Sequence, residues 1–210
     1  MTASCRLLSV GALLALFVYA SVTSDAALRP DREATSGSLA GQLLVATPDL
    51  DDPNFRETVV YMVHHDRAGA MGLVINRLLG TGPLDVMLEG LGVAPNGESQ
   101  LDLRVHYGGP VEPSRAFVLH SPDYRSQDTV VLSELAALTG SPGILEDIAA
   151  GKGPRRSLFA LGYAGWGPEQ LENELAAGAW FVVEPDEALL FDEETETKWR
   201  RAFDRRGIDL

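Results

Sequence analysis

The chain has 210 residues, 45% hydrophobic and 22% charged, which suits one globular domain with a tail or two small domains. Its formal net charge of -13 repels phosphate backbones and anionic lipid and argues against direct nucleic-acid binding. The single cysteine, Cys5, lies in the N-terminal segment, so the rest of the chain carries no disulfide, cysteine nucleophile or thiolate metal site.

Residues 1–26 read as a signal or anchor segment. Arg6 precedes an apolar run from Leu7 to Ala20, and small residues follow. That run falls short of the ~20 residues of a membrane span, so a membrane is expected as a partner only if the segment stays uncleaved. Residues 27–38 are polar, contain Pro30 and read as a linker. The domain then occupies 39–210.

Within it, strands are expected at 42–47, 58–64, 72–76, 103–107, 116–120, 129–132, 157–163 and 179–183. These runs are rich in Val, Leu, Phe and Tyr and are bounded by turn residues. The carboxylates Asp49, Asp51 and Asp52 precede a short helical stretch at 53–56. Helices are expected at 83–89, at 142–150 with Ser141 as N-cap, at 168–177 and at 193–206. Leu171 and Leu175 share a face, as do Trp199 and Phe203, and both pairs read as core packing. Short turns between neighbouring strands, as across 66–70, favour antiparallel pairing and an α+β plan with helices on one side.

Three glycine-rich blocks interrupt the strands: Gly69-Ala70-Met71-Gly72, Gly108-Gly109-Pro110 and Gly162-Tyr163-Ala164-Gly165-Trp166-Gly167. Glycine inside a strand weakens it, and makes sense where backbone bends, bulges or approaches another group closely.

Chemistry-bearing patterns are sparse. No Gly-x-Ser-x-Gly, Gly-x-Gly-x-x-Gly or His-Glu-x-x-His occurs. Gly151-Lys152-Gly153 lacks the remainder of a phosphate loop. No cofactor is expected. Adjacent His64 and His65 face opposite sides of a strand. Lys152 to Arg156 forms a short basic cluster, and Lys198 to Arg206 reads as a helix surface. Arg77 and Arg115 stand beside glycine turns, where guanidinium groups and exposed backbone N–H groups suit a small carboxylate or phosphate.

In order along the chain, Gly41-Gln42-Leu43-Leu44-Val45-Ala46, Asp52-Pro53-Asn54-Phe55, Gly69-Ala70-Met71-Gly72-Leu73-Val74-Ile75-Asn76-Arg77, Gly108-Gly109-Pro110-Val111, Phe117-Val118-Leu119-His120 and Gly162-Tyr163-Ala164-Gly165-Trp166-Gly167-Pro168-Glu169-Gln170-Leu171-Glu172 resemble the bacterial AlgH/YqgE family. The resemblance covers about residues 39–210. It implies an α+β domain whose mainly antiparallel sheet branches and folds into a pseudo-barrel with flanking helices. It also suggests a link to transcriptional regulation without a DNA-binding motif, and it transfers no catalytic residues. Leu78 stands where the family commonly has proline, the chain stops at Leu210 where relatives often run on, and relatives usually lack the apolar leader. The leader implies export to the periplasm or medium; the resemblance implies a cytoplasmic protein.

Three functional readings follow. In the first, a non-enzymatic regulatory domain binds a small ligand or a protein partner around Asn76, Arg77, Gly108, Gly109, Arg115, His120 and Trp166. In the second, a hydrolase-type enzyme uses His65 or His120 as a base oriented by Asp123. In the third, the domain is an interaction module and Trp166 and Trp180 serve packing alone.

Overall fold

The computed structural model describes residues 37–94, 99 and 101–206. The signal or anchor segment and most of the linker lie outside the described residues.

Ten strands and five helices are present among those residues: β1 (Leu43–Ala46), β2 (Val59–Asp66), β3 (Gly69–Val74), β4 (Leu78–Pro83), α1 (Leu84–Gly90), β5 (Asp102–Tyr107), β6 (Val111–His120), β7 (Thr129–Val131), β8 (Ala137–Thr139), α2 (Gly143–Ala149), β9 (Ser157–Trp166), α3 (Gln170–Ala176), β10 (Trp180–Val183), α4 (Glu187–Phe191) and α5 (Thr195–Phe203). They make an α+β domain in which a mostly antiparallel sheet curls into a half-barrel.

All four residues of β1 are buried. Side chains alternate across a strand, so this run must be covered on both faces. Leu43 and Val45 pack with Leu189 of α4 and Ala202 of α5. Leu44 and Ala46 pack with Leu171 of α3 and with Trp166 and Trp180. A third cluster holds α1 and α2 against β5, β6 and β9 through Leu84, Leu88, Ile144 and Phe159. The helices therefore lie on both sides of the sheet, not on one. Trp199 and Phe203 do share a packed face, with ring centroids 5.3 Å apart.

The sheet runs β10-β1-β2-β3-β9-β6-β8-β7, with β4 and β5 off this path. The branch is at β9. Its residues 164–166 pair with β3, 159–161 with β5, and 157–163 with β6. The β5–β9 pair is parallel, an exception to the antiparallel expectation.

Other differences have local causes. The 78–83 segment is a strand despite two glycines and a proline, because it pairs only with β5 and sits at an edge. The 53–56 stretch is a turn, closed by the N–H groups of Phe55 and Arg56 on Asp52 O at 2.9 and 2.7 Å. Helix α2 begins after Pro142 with no side-chain cap from Ser141.

Candidate functional site

The glycine blocks meet where the sheet branches. The Gly108 N–H donates to Leu161 O at 2.8 Å, and Gly108 O accepts from Val74 N at 2.8 Å. A Cβ on Gly108 would stand 2.2 Å from Gly162 O, and one on Gly109, at φ +152°, would stand 2.1 Å from the Tyr163 carbonyl carbon. Gly162 has φ +72° and would meet Gly109 O at 2.4 Å. Two backbones cross here at a separation that leaves no room for a side chain.

Asn76, Arg77 and Trp166 converge on the 53–57 turn beside this crossing. Asn76 Oδ1 accepts from Val59 N at 2.8 Å, and its Nδ2 donates to Glu57 O at 2.9 Å. Glu57 itself sits in the left-handed region, at φ 54°. The Arg77 guanidinium donates to Pro53 O at 3.0 Å and to Arg56 O at 2.8 Å, and lies 5.9 Å from the Tyr107 ring centre. Tyr107 in turn donates to Asn54 at 3.2 Å. Phe55 stacks on Trp166 and meets Trp180 edge-on. Both indole N–H groups donate to one Glu174 oxygen, at 2.9 and 2.8 Å. These side chains clamp the turn to the sheet.

Arg115 is placed apart from this group. It pairs with Glu112 at 3.1 Å and lies over the Phe117 ring at 5.1 Å. His120 is fully buried. Its Nδ1 is 2.8 Å from Ser121 O, so that nitrogen carries the proton, and Nε2 accepts from Thr139 Oγ1 at 2.9 Å. Burial pushes the ring below the ordinary histidine range. Asp123 does not orient it: its carboxylate takes the Ser121 hydroxyl and the Arg155 N–H instead. His65 Nδ1 accepts from Leu39 N at 3.0 Å, which leaves the proton on Nε2, 2.9 Å from Glu172. Its backbone N–H and then the His65 ring hold Glu172 below the usual carboxylate range.

Two further buried groups stand out. His106 donates from Nδ1 to Phe159 O at 3.2 Å, and burial pushes its pKa down to about 4. Lys198, expected on a helix surface, is fully buried. Its Nζ reaches Leu190 O at 3.4 Å and Asp192 O at 3.3 Å, at the end of α4, and the Asp192 carboxylate at 3.6 Å. Burial pushes the amine down to about 8. A side chain that closes off the carbonyls of a neighbouring helix end belongs inside the fold.

A hollow in the surface lies elsewhere. It has a volume of about 520 Å³ and opens between the 121–125 turn after β6, the 131–135 loop joining β7 to β8, Arg155 and Glu187. Val131 and Leu135 give it an apolar side, while Arg125, Glu134 and Arg155 give it charge. Arg155 reaches Asp123 through Nε at 3.5 Å. A second hollow of about 330 Å³ shares Glu187 and adds Arg156, Phe191 and Asp192. Arg156 and Glu187 pair at 3.4 Å between the two. Among the described residues no group of three or more His, Cys, Asp or Glu side chains is arranged to hold a metal. No described helix is long and apolar enough to cross a membrane.

The family profile described as AlgH-like matches residues 43–210. The chain belongs to the AlgH-like family. A UPF0301 protein of Methylococcus capsulatus is 42% identical over 171 residues, covering 81% of this chain and 93% of that one. A UPF0301 protein of Caulobacter vibrioides is 46% identical over 172 residues, covering 81% and 88%. The solution structure of the AlgH protein from Pseudomonas aeruginosa superposes with a TM-score of 0.70 at 42% identity, covering 85% of this chain and 94% of that one. A crystal structure from Corynebacterium diphtheriae shares the fold at a TM-score of 0.66 and 17% identity, covering 85% and 92%.

In this AlgH-like domain the glycine blocks were visible as a pattern, whereas the hollow was not. Its residues come from four separate segments between 121 and 187. The signals present were Asp123, read as the orienter of a histidine base, and the Arg155-Arg156 pair just before a strand, read as part of a short basic cluster.

Proposed function

We propose that this AlgH-like domain is a non-enzymatic regulatory module that binds a small ligand in the 520 Å³ hollow beside β7. The observation that carries the proposal is the hollow itself. Its volume falls within the range of about 300–1,000 Å³ usual for ligand sites, and it combines an apolar side with a few charged groups. Arg125 and Glu134 line it and pair with no described residue. Asn76, Arg77 and Trp166, by contrast, spend their polar groups on the 53–57 turn or on Glu174.

Helix α4 gives the hollow a route to the rest of the molecule. Glu187 forms part of its wall, and the other end of the helix is held by Lys198. A ligand seated against Glu187 shifts the balance of contacts at α4, where a partner protein reads the change. With a net charge of -13, any link to transcription runs through a protein partner and not through direct DNA contact.

A thermal-shift screen tests this reading, with nucleotides, sugar phosphates, carboxylates and amino acids as probes. Ligand binding raises apparent stability by about RT ln(1 + [L]/Kd). The comparison is Val131→Trp, which fills the hollow from an exposed position without entering the core. A shift lost in Val131→Trp supports the proposal. A shift of equal size in both proteins refutes it.

A further inference from the structure

The hollow beside β7 has a charge arrangement that narrows the ligand class, an inference that rests on the binding reading above. Arg125 stands on the turn after β6, and Glu134 stands on the loop between β7 and β8. Each lines the hollow, and neither has an ion-pair partner among the described residues. The other charges of the lining are already matched, Arg155 with Asp123 and Glu187 with Arg156. One cation and one anion therefore remain uncommitted at the same opening. The same lining holds Val131, exposed at 39%, and the partly buried Leu135.

A ligand bearing a single charge satisfies only one of these two groups and sets its charge against the other. A dianion meets Glu134, Asp123 and Glu187 as well as the arginines. A wholly apolar ligand leaves both charged groups desolvated without a partner. We propose that the hollow takes a small zwitterion with an apolar side group, the chemistry of an aliphatic α-amino acid. The Arg125 guanidinium receives the carboxylate, as a fork suited to two parallel hydrogen bonds. Glu134 accepts from the ammonium group. Val131 and Leu135 cover the aliphatic part, which gains by leaving water.

The test is calorimetric titration of the full chain with leucine, N-acetyl-leucine and leucinamide. The same titrations are run on Arg125→Gln and Glu134→Gln, both exposed positions whose change leaves the core untouched. Leucine is expected to bind at least about tenfold more tightly than either analogue, a factor that corresponds to about 1.4 kcal/mol. The preference over N-acetyl-leucine is expected to vanish in Glu134→Gln, and the preference over leucinamide in Arg125→Gln. Equal binding of all three, competed by filling the hollow with Val131→Trp, overturns the zwitterion class and leaves the binding site standing. Leucine binding that is unaffected by all three substitutions overturns the site as well. No heat from any of the three at millimolar concentration overturns the zwitterion class, while the broad screen decides the site separately.

Discussion

Acid should destabilise this domain through His106 before its carboxylates come into play. The ring is buried, donates to Phe159 O and has a pKa near 4, against 6.5 for an unperturbed histidine. The folded state therefore resists protonation while the unfolded chain accepts it. Above about pH 6.5 both states hold the ring neutral, and the contribution is fully present. As pH falls from there toward 4, the unfolded state gains a proton that the folded state lacks. Stability then drops by about 1.4 kcal/mol per pH unit, about 3 kcal/mol in all. His120, lowered by burial in the same way, adds to the loss. His106→Asn keeps a side-chain N–H donor near the position of Nδ1 and cannot titrate. Urea unfolding of both proteins at a series of pH values should show a shallower acid slope in the variant. Parallel slopes between about pH 6.5 and about pH 4 would refute the reasoning.

Three further substitutions probe other parts of the structure. Gly109→Ala forces a side chain onto the Tyr163 backbone at a positive φ and should cost more than about 2 kcal/mol by chemical denaturation, whereas Gly140→Ala, with nothing within 4 Å, should be close to neutral. Glu174→Ala strands two indole N–H groups and should cost about 1–3 kcal/mol, with a change in tryptophan fluorescence that reports loosening around Phe55. Asp192→Ala leaves buried Lys198 without its carboxylate and should cost about 3 kcal/mol or more, and Lys198→Met strips Leu190 O and Asp192 O of their donor and should cost about 1–3 kcal/mol. In wild type the Lys198 burial penalty is full below about pH 8 and fades as pH rises toward 10.5, so the deficit of Lys198→Met relative to wild type should grow over that window.

What the sequence revealed follows the range of the interactions involved. The strands at 43–46 and 59–66 and the helix at 195–203 carry their own apolar pattern, and they formed near where that pattern placed them. The glycine blocks announced a close approach of backbones but not its partner, since Gly109 meets Tyr163 from another segment. Strand β4 was hidden because Leu-Leu-Gly-Thr-Gly-Pro owes its extended form to pairing with β5 and not to its own preference. Helix α4 has only five residues, too few to show a period, and is recognised by the Asp186 cap that accepts from Leu189 N at 2.8 Å. Lys198 looked like surface because charge normally stays in water; the carbonyls ending α4 and the Asp192 carboxylate explain its burial. Beyond Asp123 and the 152–156 basic cluster the hollow had no local signature, because it exists only once the 121–125, 131–135, 155 and 187 positions are brought together.

The most direct test of ligand binding beside β7 is an amide chemical-shift map of the full chain with any compound that raises its melting temperature. Perturbations centred on residues 121–125, 131–135, 155–156 and 187 are the predicted result. A map centred instead on the 53–57 turn with Asn76 and Arg77, and silent around β7, would contradict the account and return the binding site to the glycine crossing.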